Sequence, residues 1–177
     1  MVTGRYSSSL VTEFDVLVET RSANVFQIFE EIAALEGSPI ARGASHTKRA
    51  MPFNGSWLNG LWHKHYPQAR FIPKNVMNYW RKPGRFQSLV QKAANEAQTQ
   101  GQFIKRLYYD VVMGGYLGRS DNAELTGEWV VFAKQDGINY YLTLGAHQED
   151  DEVIWRRCKM CETEFPELRI LQENRCG

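Results

Sequence analysis

The chain has 177 residues, of which 43% are hydrophobic and 12% aromatic, and its formal net charge is +1 at pH 7. This composition excludes a disordered chain and is enough for one domain, residues 1–177, with a sizeable core. No apolar run approaches the roughly 20 residues of a membrane span, and the first nine residues contain no apolar signal core. We therefore expect a soluble, cytoplasmic protein.

The N-terminal part of the chain predicts one strand and one helix. Apolar and polar residues alternate over 13–19, which is typical of a strand with one buried face. Apolar residues recur at helical spacing from about 23 to 36, after the capping residue Ser22 and before Gly37.

The segment 57–66 contains two histidines whose relative direction depends on its secondary structure. Trp57, Leu58, Leu61, Trp62 and His65 fall on one face of a short helix, which Pro67 would end. In such a helix His65 faces the core, whereas His63 and Lys64 face outward. In a strand, His63 and His65 point to the same side. The apolar spacing indicates a helix for 57–66, and a strand is the alternative that the sequence leaves open.

The next segments are helical in pattern, after a basic loop at 43–54 that carries His46, Lys48 and Arg49. Pro73 is suited to the first turn of a helix that covers 73–82. A longer helix is predicted over 86–107, with a possible interruption at Gly101.

The clearest local pattern is a hairpin. Two β-rich runs, 128–134 and 138–144, flank Asp136-Gly137, a pair that favours a tight turn with positive φ. Both faces of the hairpin are largely apolar, so it should be central in its sheet. Four acids at 149–152 suit the N-terminus of a further helix over 151–164. The fold class predicted is α+β: a small antiparallel sheet of 13–19 and the two hairpin strands, covered by several helices.

Charge is distributed unevenly along the chain. Residues 42–106 contain twelve of the 21 lysines and arginines but only one acid, Glu96, whereas both flanks are acidic. Such a basic helical segment suits a surface that meets phosphate. Within it, tryptophans alternate with histidines and lysines, a pattern typical of nucleic-acid sites.

These residue types are the ones that a metal-independent ribonuclease needs. A base removes the 2′-hydroxyl proton, an acid protonates the leaving oxygen, and cations stabilise the pentacoordinate phosphorus. Histidine suits both proton-transfer roles. The catalytic candidates are His63, His46, His147, Lys64 and Arg81. The candidates for binding nucleic acid are Lys48, Arg49, Trp57, Trp62, Arg70, Lys74, Lys82 and Arg85.

A metal site is the alternative use of these histidines. The two nitrogens and two sulfurs of His63, His65, Cys158 and Cys161 would form a plausible zinc set. The CxxC stands alone, and three cysteines near the C-terminus do not make a disulfide framework. We therefore expect no metal and no cofactor.

The segment from Gly127 to His147 resembles the core hairpin of RelE-type and barnase-like ribonuclease toxins. Its second strand is apolar, and a basic residue, His147, follows it. The resemblance implies RNA cleavage by a toxin or phage-defence enzyme, with His147 and the basic segment lining the sheet.

Two other functions fit the same composition. The protein is a non-catalytic binder of RNA or single-stranded DNA if its cations contact phosphate and its tryptophans stack on bases. It is a protein-interaction or inhibitor module if the basic segment docks on an acidic protein partner, such as an antitoxin. No membrane partner is expected.

Overall fold

A computed structural model describes residues 5–38 and 45–173. Its centre is a sheet of five strands: β1 Arg5–Tyr6, β2 Met51–Pro52, β3 Trp62–Tyr66, β4 Glu128–Gln135 and β5 Ile138–Gly145. The strand order is β1-β5-β4-β3-β2, and every neighbouring pair is antiparallel except β1 and β5.

The predicted hairpin is confirmed as the middle of this sheet. Asp136 and Gly137 take φ values of 51° and 77° at the turn, as the tight connection between β4 and β5 requires. The remaining strands pair on either side of the hairpin, so that β4 and β5 each have two neighbours.

The strand predicted at 13–19 is wrong. The segment belongs to α1, Ser8–Thr20, which Ser7 caps by accepting a hydrogen bond from the backbone N–H of Leu10. Leu10 and Phe14 are buried one helical turn apart, whereas Val18, which the strand pattern would bury, is 62% exposed. The apolar residues of this segment are therefore buried at helical spacing, and β1 occupies the sheet position that the prediction gave to 13–19.

Helices cover both faces of the sheet. The predicted helix at 23–36 is α2, Val25–Leu35, and it packs with α1 on one face, around Ile28 and Phe132. The predicted helix at 151–164 is α7, Asp151–Met160, which Asp150 caps. It packs on the other face, around Ile154 and Val131. The sheet therefore separates two apolar cores.

A helical arm lies between β3 and β4 in the chain. Trp80, at the end of its first helix, donates from Nε1 to the carbonyl oxygen of Val111, 2.7 Å away. The single helix predicted over 86–107 is divided, because Thr99 caps a new helix after the first one ends at Glu96. The helices of the arm are α3 Ile72–Trp80, α4 Arg85–Glu96, α5 Gln100–Tyr109 and α6 Gly115–Asp121.

The helix predicted for 57–66 is wrong, and with it the prediction that His63 and His65 point apart. Residues 56–60 form turns that end at Gly60 (φ 83°), and the chain then becomes extended as β3. His63 pairs with Val131 and His65 with Trp129 on the neighbouring strand. The basic segment is therefore not helical throughout, since it also contains β2 and β3.

The structure confirms the α+β class that the sequence predicts. The starting residues of the basic segment, 42–44, lie outside the described residues. In the described ranges, no helix combines the length and the apolarity that crossing a membrane requires.

Candidate functional site

Three histidines converge on the face of the sheet that α7 covers. His63 and His65 alternate along β3 and so share one side of it. His147 follows the end of β5 by two residues. The ring centres lie 5.5 Å apart for His63 and His65, and 5.3 Å apart for His65 and His147. We call these three residues the histidine cluster.

Aromatic rings surround the histidine cluster. The Trp129 ring lies 5.3 Å from the ring of His63 and 4.3 Å from that of His147. Phe53 lies 4.5 Å from His63, and Phe71 lies 5.6 Å from His147. The cluster therefore has apolar walls, which lower the local dielectric and disfavour charge on the rings.

His63 and His65 are neutral at pH 7. Burial lowers the pKa of His65 to about 3, and its Nδ1 lies 2.9 Å from the carbonyl oxygen of Gly127. Burial also lowers the pKa of His63 to about 4, with smaller contributions from His147 and Lys48. His63 is partly exposed, whereas His65 is only 5% exposed, so His65 lies in the interior of the cluster.

His147 is held by a buried carboxylate. Glu128, at the start of β4, is 3% exposed. Its Oε2 accepts from the backbone N–H of His147 at 2.7 Å and lies 3.1 Å from the ring Nδ1. Its Oε1 pairs with the guanidinium of Arg70. Burial lowers the pKa of His147, and the nearby Lys74, Lys48 and Arg70 lower it further.

The same three cations define the charge of the site. Lys48 and Lys74 are exposed, and Arg70 keeps a side-chain exposure of 61% despite its pair with Glu128. They come from three separate segments: the chain before β2, α3, and the short turn at Ala69–Phe71. The face beside the histidine cluster is therefore positive, as a site for a phosphodiester requires.

Two predicted catalytic residues lie apart from the cluster. The Nδ1 of His46 lies 3.0 Å from the Ser120 hydroxyl at the end of α6, and the ring contacts that join the other three histidines do not include His46 among the described residues. Arg81 is exposed at the C-terminal end of α3, about 10 Å along the helix from Lys74 at 1.5 Å per residue.

Lys64, a predicted catalytic residue, lies on the face of the sheet opposite to the histidine cluster. It points to the opposite face of β3 from His63, and its side chain is 4% exposed. Its Nζ lies 2.9 Å from the carboxylate of Glu31 in α2 and donates to the Thr47 hydroxyl and the Lys48 carbonyl oxygen. Lys64 thereby anchors the segment that presents Lys48 to the histidine cluster.

The other predicted contacts to nucleic acid differ in their availability. Arg49 is exposed beside Lys48. Trp57 packs against the core on the α7 side, and the ammonium of Lys134 lies 3.7 Å from the ring centre of Trp62. Lys82 pairs with Glu124, and the guanidinium of Arg85 lies over the Tyr79 ring. Lys48, Lys74 and Arg70 are the predicted cations that lower the pKa of His147.

The alternative zinc set is not assembled. Throughout the described part of the chain, no group of three or more His, Cys, Asp or Glu side chains has an arrangement that holds a metal ion. Cys158 and Cys161 are buried in and just after α7, and the Cys161 thiol is directed at backbone carbonyls.

Glu128 and the aromatic walls were not among the site residues predicted from the sequence. Glu128 opens a strand whose next five positions are apolar, and an acid in a strand buried on both faces is a signal that it has a partner. Phe53 and Phe71 gave no such signal, because a phenylalanine in a loop or short turn has many possible neighbours.

Comparisons with known proteins identify no relative of this chain. No protein-family model, no curated protein and no solved structure matches it. The resemblance of residues 127–147 to the ribonuclease hairpin therefore has no family match to support it, and the function is inferred from the histidine cluster.

Proposed function

We propose that the protein acts on nucleic acid, most concretely as a metal-independent ribonuclease whose active site is the histidine cluster. The observation that carries this proposal is the convergence of His63 and His147, 84 positions apart in the chain, on one cation-bordered face of the sheet. Two partly exposed imidazoles beside lysine and arginine side chains provide the groups for acid–base cleavage of a phosphodiester.

His63 is the proposed base. It is neutral at pH 7, because its pKa is about 4, and so it is available to take the proton of a ribose 2′-hydroxyl. The 2′ oxygen then attacks phosphorus, and the bond from phosphorus to the 5′ oxygen breaks. The negative charge of a bound phosphodiester raises the pKa of nearby imidazoles, which makes His63 a stronger base in the complex.

His147 is the proposed acid. In the free protein its pKa is lowered, but substrate phosphate raises it, and Glu128 stabilises the protonated ring. His147 would donate its proton to the leaving 5′ oxygen, which gives a 5′-hydroxyl and a 2′,3′-cyclic phosphate. Lys48 and Lys74 would stabilise the charge on the phosphorane oxygens.

Non-catalytic binding is the second candidate, since all three rings have lowered pKa values in the free protein. The same cations would then contact phosphate without any proton transfer. The toxin or phage-defence role and an acidic partner or antitoxin stay predictions from the sequence.

Cleavage of a fluorescent single-stranded RNA in the presence of EDTA tests the proposal. We expect turnover of RNA but not of the matching DNA, because the DNA lacks the attacking 2′-hydroxyl. His63→Ala and His147→Ala should each lose about 10²-fold or more in kcat, while the control His46→Ala keeps wild-type turnover. Binding without cleavage would support the second candidate instead, and an absence of both would refute the nucleic-acid proposal.

A further inference from the structure

Glu128 makes contacts that fix one ring of the histidine cluster in place. Its carboxylate receives hydrogen bonds from Arg70 and from the backbone N–H of His147, and its Oε2 also faces the ring Nδ1 of His147. A carboxylate paired with a guanidinium is ionised and has no proton to donate, so it accepts from His147 as well. Nδ1 therefore carries the proton in the neutral ring, and Nε2 is left as the proton-accepting nitrogen.

From these contacts we infer that Glu128 is a positioning residue for His147, and that Arg70 controls how strongly Glu128 favours the protonated ring. The catalytic consequence of this inference rests on the proposed ribonuclease function, but the effect of Glu128 on the ring does not. The hydrogen bond from the backbone N–H of His147 fixes the position of this residue after the end of β5. The hydrogen bond from its ring fixes the tautomer and the direction of the imidazole.

Arg70 competes with His147 for the charge of Glu128. The guanidinium holds Oε1 while the imidazole faces Oε2 of the same carboxylate. Arg70 remains 61% exposed, so it is free to contact a phosphate that approaches the cluster. When Arg70 turns to that phosphate, Glu128 loses a competing cation, and its attraction for a protonated His147 increases. Substrate binding would thus prepare the acid.

Charged and titratable groups from several elements lie around His147. Among the described residues they include Glu128 on β4, His63 and His65 on β3, Arg70 in the turn before α3, Lys74 on α3 and Lys48 before β2. Glu149 follows two residues later, but its carboxylate accepts from the backbone of Ala146 and pairs with Arg157. Glu128 is the acid whose carboxylate faces the ring, so its removal should lower the His147 pKa further.

Nitrogen NMR of ¹⁵N-labelled full-length protein tests the inference directly. The His147 signals are assigned by their absence in His147→Ala. In the wild type we expect a protonated Nδ1 and an unprotonated Nε2 at neutral pH. Glu128→Gln should mix or invert the tautomers and lower the His147 pKa. Glu128→Asp, which keeps a carboxylate, should retain part of the wild-type pattern. Arg70→Ala should raise the His147 pKa, because it removes one of the cations that lower it.

A matched control is Glu167→Gln, which removes the carboxylate of another arginine pair, Arg5 with Glu167. It should leave the His147 signals unchanged. In the cleavage assay, Glu128→Gln should lower kcat by about 10²-fold or more with little change in KM, as a wrong tautomer does.

The outcomes separate this inference from the proposed function. An unaltered tautomer and titration of His147 in Glu128→Gln overturn the positioning role, whatever the activity. An unchanged or lowered His147 pKa in Arg70→Ala overturns the role of Arg70. Altered NMR signals in a protein whose wild type never cleaves RNA confirm the positioning role and refute the ribonuclease.

Discussion

Replacing Lys64 by methionine should destabilise the protein without touching the histidine cluster directly. The change removes a buried ammonium 2.9 Å from Glu31, and both side chains are at most 5% exposed. The Glu31 carboxylate would keep the Ser45 hydroxyl as a hydrogen-bond donor but would lose its counter-charge. Breaking a buried pair from one side costs about 3–5 kcal/mol, a large part of the roughly 5–15 kcal/mol that stabilises a typical domain.

The double variant Lys64→Met/Glu31→Leu separates the lost charge from the lost packing. Removing both charges leaves no unpaired ion, so its stability should lie within about 1–2 kcal/mol of the wild type, and the two substitutions should be strongly non-additive. Chemical denaturation followed by tryptophan fluorescence measures each free energy of unfolding. The exposed Lys92→Met is the control and should change that energy by less than about 0.5 kcal/mol.

The opposite pattern would refute this argument. If Lys64→Met unfolds like the wild type yet abolishes RNA cleavage, Lys64 is a catalytic lysine, as its place in the basic segment predicts. Additive effects of the two substitutions would show that the ion pair contributes nothing to stability.

Three further predictions concern other parts of the site. A Cβ at Gly127 would lie 1.6 Å from the backbone oxygen of Tyr66 on the facing strand. Gly127→Ala should therefore lower the free energy of unfolding, measured by heat or denaturant, by about 3 kcal/mol or more. The control Gly101→Ala, on open helix surface, should raise it by about 0.5–1 kcal/mol. Because the folded pKa of His65 is about 3, well below the unfolded value of 6.5, the unfolded chain binds more protons between these values. Stability should therefore fall as pH drops from 6.5 towards 3. The fall should be smaller in His65→Asn, which keeps a hydrogen-bond donor for the backbone. If stability falls equally steeply with pH in both proteins, the low pKa of His65 is contradicted. Affinity for single-stranded RNA should fall by one to three decades, roughly, from low to physiological salt, and Lys48→Ala and Lys74→Ala should each make the logarithmic salt slope shallower by about 0.7; unchanged slopes would place the RNA elsewhere.

The sequence alone was sufficient for features whose cause is local. The β4–β5 hairpin follows from two β-rich runs around Asp136-Gly137, whose backbone adopts the positive φ values that the turn needs. The helices α2 and α7 follow from apolar spacing, and the acids predicted at the start of α7 include its cap, Asp150. The cap predicted for α2 is wrong, because Asn24 rather than Ser22 caps it. In each case the determining interactions lie within one segment, so the pattern could be read without knowing the fold.

Tertiary structure decided the segments whose pattern fits two geometries. Residues 13–19 satisfy the alternation of a strand, but they form part of α1. The helix is favoured because it buries Leu10 and Phe14 together against the sheet. The histidines of β3 share a side only because that segment pairs with β4. Lys64 is directed to the other side for the same reason, and there it meets Glu31.

The histidine cluster itself depends on contacts between residues far apart in the chain. His147 meets His65 because β5 ends near the start of β4, which is itself paired with β3. The composition of the basic segment indicated the residue types of the site, since charge and aromaticity are properties of the sequence. Strand order and register determine which of these residues lie together and that Glu128 holds one of them. Strand pairing brings together side chains that are far apart in the chain, and no local pattern encodes such contacts.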